Sequence, residues 1–189
     1  MLVSFALAPP PELAQTFAVL RAQLDPEHAP KTIPYLTVKQ PFETGDLEAV
    51  LERVRALRLR EVSIVLRESG VFDTAQFGSV LHLHAPRTPE LDALHTALLQ
   101  ALADVSQSGP RPEVEDRVFY PHLTLAQGLE AAVAREALGK LTLALPIAFE
   151  ARELVMGVRD EQGVWNRPHT FALSASSRPA SSAHPAQPA

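Results

Sequence analysis

Apolar positions along this 189-residue chain recur at two spacings, and the alternation between them lays out its elements. LVSFALA, residues 2 to 8, predicts a strand; beyond a proline cluster, Leu13, Phe17, Leu20 and Leu24 fall on one face of a helix. YLTV, from Tyr35, predicts a short strand and PFETGD a turn. Leu47, Val50, Leu51, Val54 and Leu57 then form a second helical stripe with acidic residues near its start. EVSIVL (61 to 66) and SVLHLHA (79 to 85) alternate as half-buried strands, joined by the glycine-containing connection RESGVFDTAQFG. The first half thus reads β-α-β-α-β-β.

A third helix opens at Thr88 and Pro89, a plausible cap and first-turn pair, with Leu91, Leu94, Leu98 and Leu102 as its buried stripe. The loop SQSGPRPEVEDR leads into the strand HLTL, a helix around EAAVAREAL ended by Gly139, and strands within LTLALPIAFEARELVMGV and HTFALSA. From Ser174 the chain is serine, proline and alanine with almost nothing to bury. Residues 174 to 189 are therefore expected to be a disordered tail, with His184 inert, behind a single folded domain of residues 1 to 173.

The two halves share more than an element order. PYLTVKQ at residues 34 to 40 returns as PHLTLAQ at 121 to 127: Pro34 matches Pro121, Leu36 Leu123, Thr37 Thr124 and Gln40 Gln127, at an offset of 122 − 35 = 87 residues. Four identities at matching positions, each copy set between two helices, point to internal duplication. One position breaks the match, with Tyr35 in the first copy and His122 in the second.

Composition narrows the functions open to such a chain. At 46% hydrophobic residues it can bury a core, as one domain or two intimately packed lobes. It has no cysteine, which excludes a disulfide framework, a thiolate metal site and a thiol nucleophile, and is compatible with a cytoplasmic location. The net charge of −5 argues against a protein that holds long nucleic acid by phosphate neutralisation, while leaving a nucleotide or an RNA end as partner. No segment approaches the roughly 20 apolar residues needed to cross a bilayer, so a soluble protein without a membrane partner is expected.

In an extended strand, Leu123 and Leu125 point one way while His122 and Thr124 share the other face; the same parity pairs Tyr35 with Thr37. An imidazole exchanges protons near neutral pH, and a threonine hydroxyl donates a hydrogen bond to a phosphate oxygen. Two such strands side by side about a twofold axis would place both functions around one phosphate, as metal-free phosphodiester chemistry requires.

IPYLTVKQPF, YPHLTLAQGL and VFDTAQFGSVLHLHAP together, in this order and spacing, resemble the two-histidine phosphoesterase superfamily, in particular its 2′-5′ RNA ligase and cyclic phosphodiesterase branch. The resemblance covers about residues 1 to 173. It implies an α+β, bilobal fold with two mostly antiparallel sheets related by a pseudo-twofold, flanked by helices around a central cleft. It further implies no metal, no ATP and no other cofactor, and the cleavage or reversible formation of 2′-linked phosphodiesters at nucleotide or RNA ends. His122 would then be half of an acid–base pair, with Thr37 and Thr124 holding phosphate oxygens.

Tyr35 stands where the family has its first catalytic histidine. A phenol of ordinary pKa about 10 is neutral at pH 7 and donates readily but is a poor general base. Three readings stay open: Tyr35 is an acid or phosphate donor beside a working His122; the site binds a nucleotide without turnover; or another histidine substitutes. For the last, His82 and His84 share the polar face of LHLH, either at the cleft or as two solvated side chains, and they lack partners for a metal site. His169 could reach the cleft from the last strand, His95 reads as an edge residue of its helix, and His28 lies in a loop upstream of Tyr35. Arg111 and Arg117 flank the second motif and could meet phosphate. Phe42, Phe72, Phe77 or Trp165 could stack on a base, although most such residues are core. The leading expectation is a small phosphodiesterase; a nucleotide-binding module and a catalytically silent scaffold are the alternatives.

Overall fold

The computed structural model describes residues 1–75, 78–107, 115 and 118–175. Arg111, Arg117, Phe77, His184 and most of the tail read above as disordered lie outside the described residues. The elements in chain order are β1 (Leu2–Leu7), α1 (Pro11–Leu24), β2 (Leu36–Glu43), α2 (Leu47–Ala56), β3 (Val62–Leu66), β4 (Glu68–Thr74), β5 (Gly78–His84), α3 (Pro89–Ala101), β6 (His122–Leu129), α4 (Ala131–Lys140), β7 (Ile147–Ala151), β8 (Glu153–Arg159) and β9 (Trp165–Ala172). Among the described residues, no helix is long and apolar enough to cross a membrane.

Local chemistry accounts for the helix starts. Asp46 accepts a hydrogen bond from the Ala49 amide at 2.9 Å to cap α2, and Thr88 accepts from the Leu91 amide at 3.2 Å to cap α3, ahead of Pro89 in the first turn. Three expectations shift. The connection between EVSIVL and SVLHLHA contains β4, a strand obscured in sequence by its glycine and charged residues and held by seven residue pairs with β5. β2 runs on through Pro41 and Phe42, which the sequence placed in a turn. α4 continues past Gly139 to Lys140, while Leu141 to Ala144 form no strand.

All pairings between these strands are antiparallel, in an α+β architecture with two sheets: a seven-stranded sheet of order β4-β5-β6-β2-β1-β8-β9 and a two-stranded sheet of β3 with β7. The repeat is visible in that order. β1-α1-β2-α2-β3-β4 and β5-α3-β6-α4-β7-β8 are two copies of one β-α-β-α-β-β unit, and β9 is an addition at the edge. SVLHLHA therefore opens the second unit instead of closing the first. Reading the order from either end of β4 to β8 exchanges the units, with β2 and β6 at the centre.

Each motif strand buries its alternate residues. Leu36 and Val38 on β2, and Leu123 and Leu125 on β6, are 0–1% exposed and join Phe5, Phe17, Leu91 and Leu98 in one core. Burial of this completeness stabilises the fold by about 1.5–3 kcal/mol per large apolar side chain, so the register of β2 against β6 is firmly held. A slip of one residue would bring the polar set into the core.

Candidate functional site

β2 and β6 meet at Leu36 and Leu123, which occupy the same place in the two heptads. Pairing of equivalent residues is what a twofold axis between antiparallel strands produces. One step out in either direction, the register sets Thr37 beside His122 and Tyr35 beside Thr124. Because the leucines face the core, these four side chains face away from it, and all four line one cleft of about 420 Å3. Gln40 and Gln127, the last matching pair of the heptads, also line it, as do Arg21, His28, Phe72 and Trp165. Gly157 forms part of the wall: a Cβ there would come within 3.0 Å of the Trp165 ring and 3.1 Å of Ser4 Oγ.

His122 begins β6, and its Nδ1 lies 2.8 Å from the Tyr120 carbonyl oxygen. A carbonyl can only accept, so Nδ1 carries the proton and the basic lone pair of the neutral ring is on Nε2. The Phe72 ring stands edge-on at 5.2 Å and His82 at 5.6 Å between centroids, fixing the imidazole plane.

His82 is 3% exposed, with Nε2 3.1 Å from the Tyr120 hydroxyl and its ring 4.8 Å from Phe72. Burial, then the neighbouring His122, pushes its pKa down to about 4, so the ring is neutral at pH 7. Gly70 pairs with His82, and a Cβ on Gly70 would lie 3.0 Å from the ring, so any larger residue there would crowd the imidazole. His84 stacks on Tyr120 at 4.3 Å and pairs with Glu68 at 3.1 Å. Neither His82 nor His84 lines the cleft, one of the two places the sequence left open for them. His82 instead braces the side of His122 through Tyr120, whose hydroxyl meets His82 and whose carbonyl meets His122.

Tyr35 sends its ring toward Arg167, whose guanidinium carbon is 6.0 Å from the ring centroid. Its hydroxyl is buried without a hydrogen bond of good geometry. Burial pushes the phenol up to about 12 against the opposing pull of Arg167, Arg21 and the Thr32 hydroxyl, so it stays protonated. Arg21, one turn after Phe17 on α1, is 3% exposed and its Nε is likewise buried without a partner. Burial lowers its pKa from the usual guanidinium value, with Asp25 and Tyr35 acting in the opposite direction.

Asp25 ends α1 and is 4% exposed. One oxygen accepts from the His28 amide at 3.1 Å and from His28 Nδ1 at 2.8 Å, and the other accepts from the Gln127 amide of β6 at 3.0 Å. The end of α1 is thereby tied to the second motif strand, and His28 is oriented as a wall of the cleft.

Phe42, one of four rings that could have stacked on a base, is 0% exposed and packs on Phe5 at 6.4 Å in the core; the aromatic rings at the cleft include Phe72 and Trp165. His95, expected at a helix edge, is buried, 2.6 Å from the Val38 carbonyl and stacked on Phe119 at 4.0 Å, and so supports β2 from behind. His169 sits half-buried on β9 opposite Met156 and does not line the cleft. Among the described residues, no three His, Asp or Glu side chains converge as a metal site would require. Sequence reasoning passed over Arg21, Asp25 and Tyr120. Arg21 left a trace, a charge four residues after Phe17 on an apolar helical face.

Comparison with known proteins bears on the family and the fold. The chain is 30% identical over 126 residues to a Bacillus anthracis protein with a provisional phosphoesterase name, covering 66% of this chain and 68% of that one. A Bacillus cereus relative with the same kind of name is 31% identical over the same length and coverage. In fold, it is similar to Escherichia coli LigT complexed with 3′-AMP, with TM-score 0.61, 19% identity and coverage of 90% of this chain and 97% of that one. It is also similar to TT0787 of Thermus thermophilus, with TM-score 0.58, 16% identity and coverage of 93% and 99%. Residues 9–163 match the family described as the 2′-5′ RNA ligase superfamily, and the chain belongs to that superfamily.

Proposed function

We propose that the protein is a phosphodiesterase acting on 2′,3′-cyclic phosphate or 2′-5′ phosphodiester ends of nucleotides or RNA, with His122 as its proton-transfer group. The observation that carries this reading is the pairing of Leu36 with Leu123, which gathers Thr37, His122 and Thr124 around one cleft. The two hydroxyls hold the non-bridging phosphate oxygens. His122 Nε2 takes a proton from the attacking water as its oxygen bonds to phosphorus. The bond from phosphorus to the 2′ or 3′ oxygen breaks, and that oxygen takes its proton from the Tyr35 hydroxyl, which regains one through water from the His122 imidazolium. Tyr35, held protonated by burial, serves as a donor and leaves the basic role to His122. The family membership supports phosphoester chemistry, and LigT structures with 3′-AMP and ATP support a nucleotide as ligand.

His122→Ala tests the reading: turnover of a nucleoside 2′,3′-cyclic phosphate should fall by roughly 100-fold or more with the melting temperature little changed. Activity that survives the substitution would overturn it. The buried phenol at Tyr35 favours one second reading, a nucleotide-binding module with little turnover; it predicts saturable binding of 3′-AMP to the wild-type chain without product from the cyclic nucleotide.

A further inference from the structure

The two flanks of the cleft are related by the duplication, and they are filled differently. Leu7 pairs with Leu36 as Leu83 pairs with Leu123, so Ala6, opposite Thr37, is the counterpart of His82, opposite Thr124. Two residues earlier on each strand, Ser4 pairs with Gly157 and Val80 with Phe72, which makes Gly157 the counterpart of Phe72. On the flank built by β5 and β4, these places hold two rings: His82 and Phe72 pack at 4.8 Å, and Phe72 also meets Tyr120 and His122. On the flank built by β1 and β8 they hold a methyl group and no side chain at all, and Ser4, Ala6 and Gly157 line the cleft.

Trp165 stands over that second flank. It is carried by β9, the strand without a counterpart in the other unit, opposite Arg159 on β8. Its ring edge rests against Gly157, and the half-buried indole lines the cleft. Phe72 commits its ring to three neighbouring rings, whereas Trp165 meets no other ring among the described residues. The hairpin that presents it is tied at its tip: the Asp160 carboxylate accepts from the Val164 amide at 2.8 Å and from Asn166 Nδ2 at 2.9 Å, and the Asp160 carbonyl accepts from the Gly163 amide at 3.1 Å. An indole held in advance at the border of a cleft offers a flat ligand ring a stacking surface at little cost in ordering. β8 lies two strand spacings from β2, roughly 10 Å, a distance that a ribose and its base can cover from a phosphate at Thr37.

We propose that the substrate nucleoside runs from the phosphate position across β1 and β8, and that its base stacks on Trp165. This rests on the phosphodiesterase reading for the phosphate and deepens it by assigning the direction of the nucleoside and the residue that receives its base. The duplicated strands supply the phosphate site, and β9 supplies the ring that makes the cleft one-sided.

Trp165 is the only tryptophan of the chain, so its emission reports on this flank directly and without a variant. Adenosine 3′-phosphate should quench it saturably, while ribose 3-phosphate, which lacks the base, should bind without comparable quenching. By isothermal titration, wild type should bind adenosine 3′-phosphate about tenfold or more tightly than ribose 3-phosphate, the size of one base stacked on an aromatic side chain. That preference should fall below about threefold in Trp165→Leu, be largely kept in Trp165→Phe, and survive in Phe72→Leu on the opposite flank. Adenosine 3′-phosphate that binds without changing the emission, equal affinity of wild type for the two ligands, or a preference lost in Phe72→Leu and kept in Trp165→Leu would each overturn the proposal. Turnover separates it from the reading on which it rests. A chain that hydrolyses the cyclic nucleotide but shows no base-dependent quenching keeps the phosphodiesterase and loses the base platform; one that shows the quenching but never hydrolyses a cyclic phosphate keeps the platform and loses the phosphodiesterase.

Discussion

Acidification should loosen this fold through His82, and the size of the effect follows from its surroundings. The ring is 3% exposed, wedged between Phe72 and Gly70, and hydrogen-bonded through Nε2 to Tyr120. Its pKa is about 4 against an ordinary 6.5, with burial first among the causes and His122 next; His84 adds to the depression, while the Val80 carbonyl and Glu68 oppose it. In the unfolded chain the ring takes up its proton as pH falls through 6.5; in the folded chain it resists until about 4. The stabilisation is therefore complete above pH 6.5 and is lost as pH falls through the window from 6.5 to 4. A gap of about 2.5 pH units, at 1.36 kcal/mol per unit, is about 3 kcal/mol, of which about 2 kcal/mol is gone by pH 5. Urea denaturation at pH 7.5 and pH 5.0 measures it. Wild type should lose about 2 kcal/mol more between the two than His82→Gln, which carries no titrating group at this position. Parallel losses in the two proteins, or an NMR titration of His82 centred near its ordinary 6.5, would refute the argument that burial holds the ring neutral.

Two further outcomes follow from the neighbouring geometry. Asp25→Ala strips the acceptor from the Gln127 amide and from the backbone and ring nitrogens of His28, and should cost about 2–4 kcal/mol in urea denaturation. Tyr35→His puts an imidazole beside Thr124, with one residue pair between it and His122; if proton transfer limits turnover, cyclic-nucleotide hydrolysis should rise by roughly tenfold or more, and an unchanged or lower rate would show that this position does not set the rate.

Where the sequence was legible, the reason was periodicity. The stripes of α1, α2 and α3 and the alternation in LVSFALA and HLTL stand above their surroundings because one face of each is packed in the core. β4 was illegible for the opposite reason: ESGVFDT has no clean apolar face, and it is a strand because β5 lies beside it. The same limit governs the site. Parity within a heptad sorted Thr37, His122 and Thr124 from their leucines, and that sorting depends on the strand alone. Whether Phe42 or Trp165 meets the cleft depends on which face of a seven-stranded sheet each reaches, and on β2 continuing through Pro41, which no local rule reveals. Asp25 is 102 residues from the amide it satisfies, a contact that exists only after α1 has docked on β6.

The order of the large sheet carries a consequence for how such a chain can exist at all. β4 leaves its own unit to lie beside β5, β8 leaves the other to lie beside β1, and β3, among the described residues, finds its strand neighbour in β7. Counting the central pairing of β2 with β6, each half is completed by the other along four seams, in the manner of an exchanged pair joined by the short stretch of chain between Thr74 and Gly78. A half released by itself would display the rims of β2 and β3, or of β6 and β7, as open templates for whatever strand came next. The cleft lies along the central seam, so it is assembled only when both halves close, and the chemistry of one heptad is always read against that of its twin.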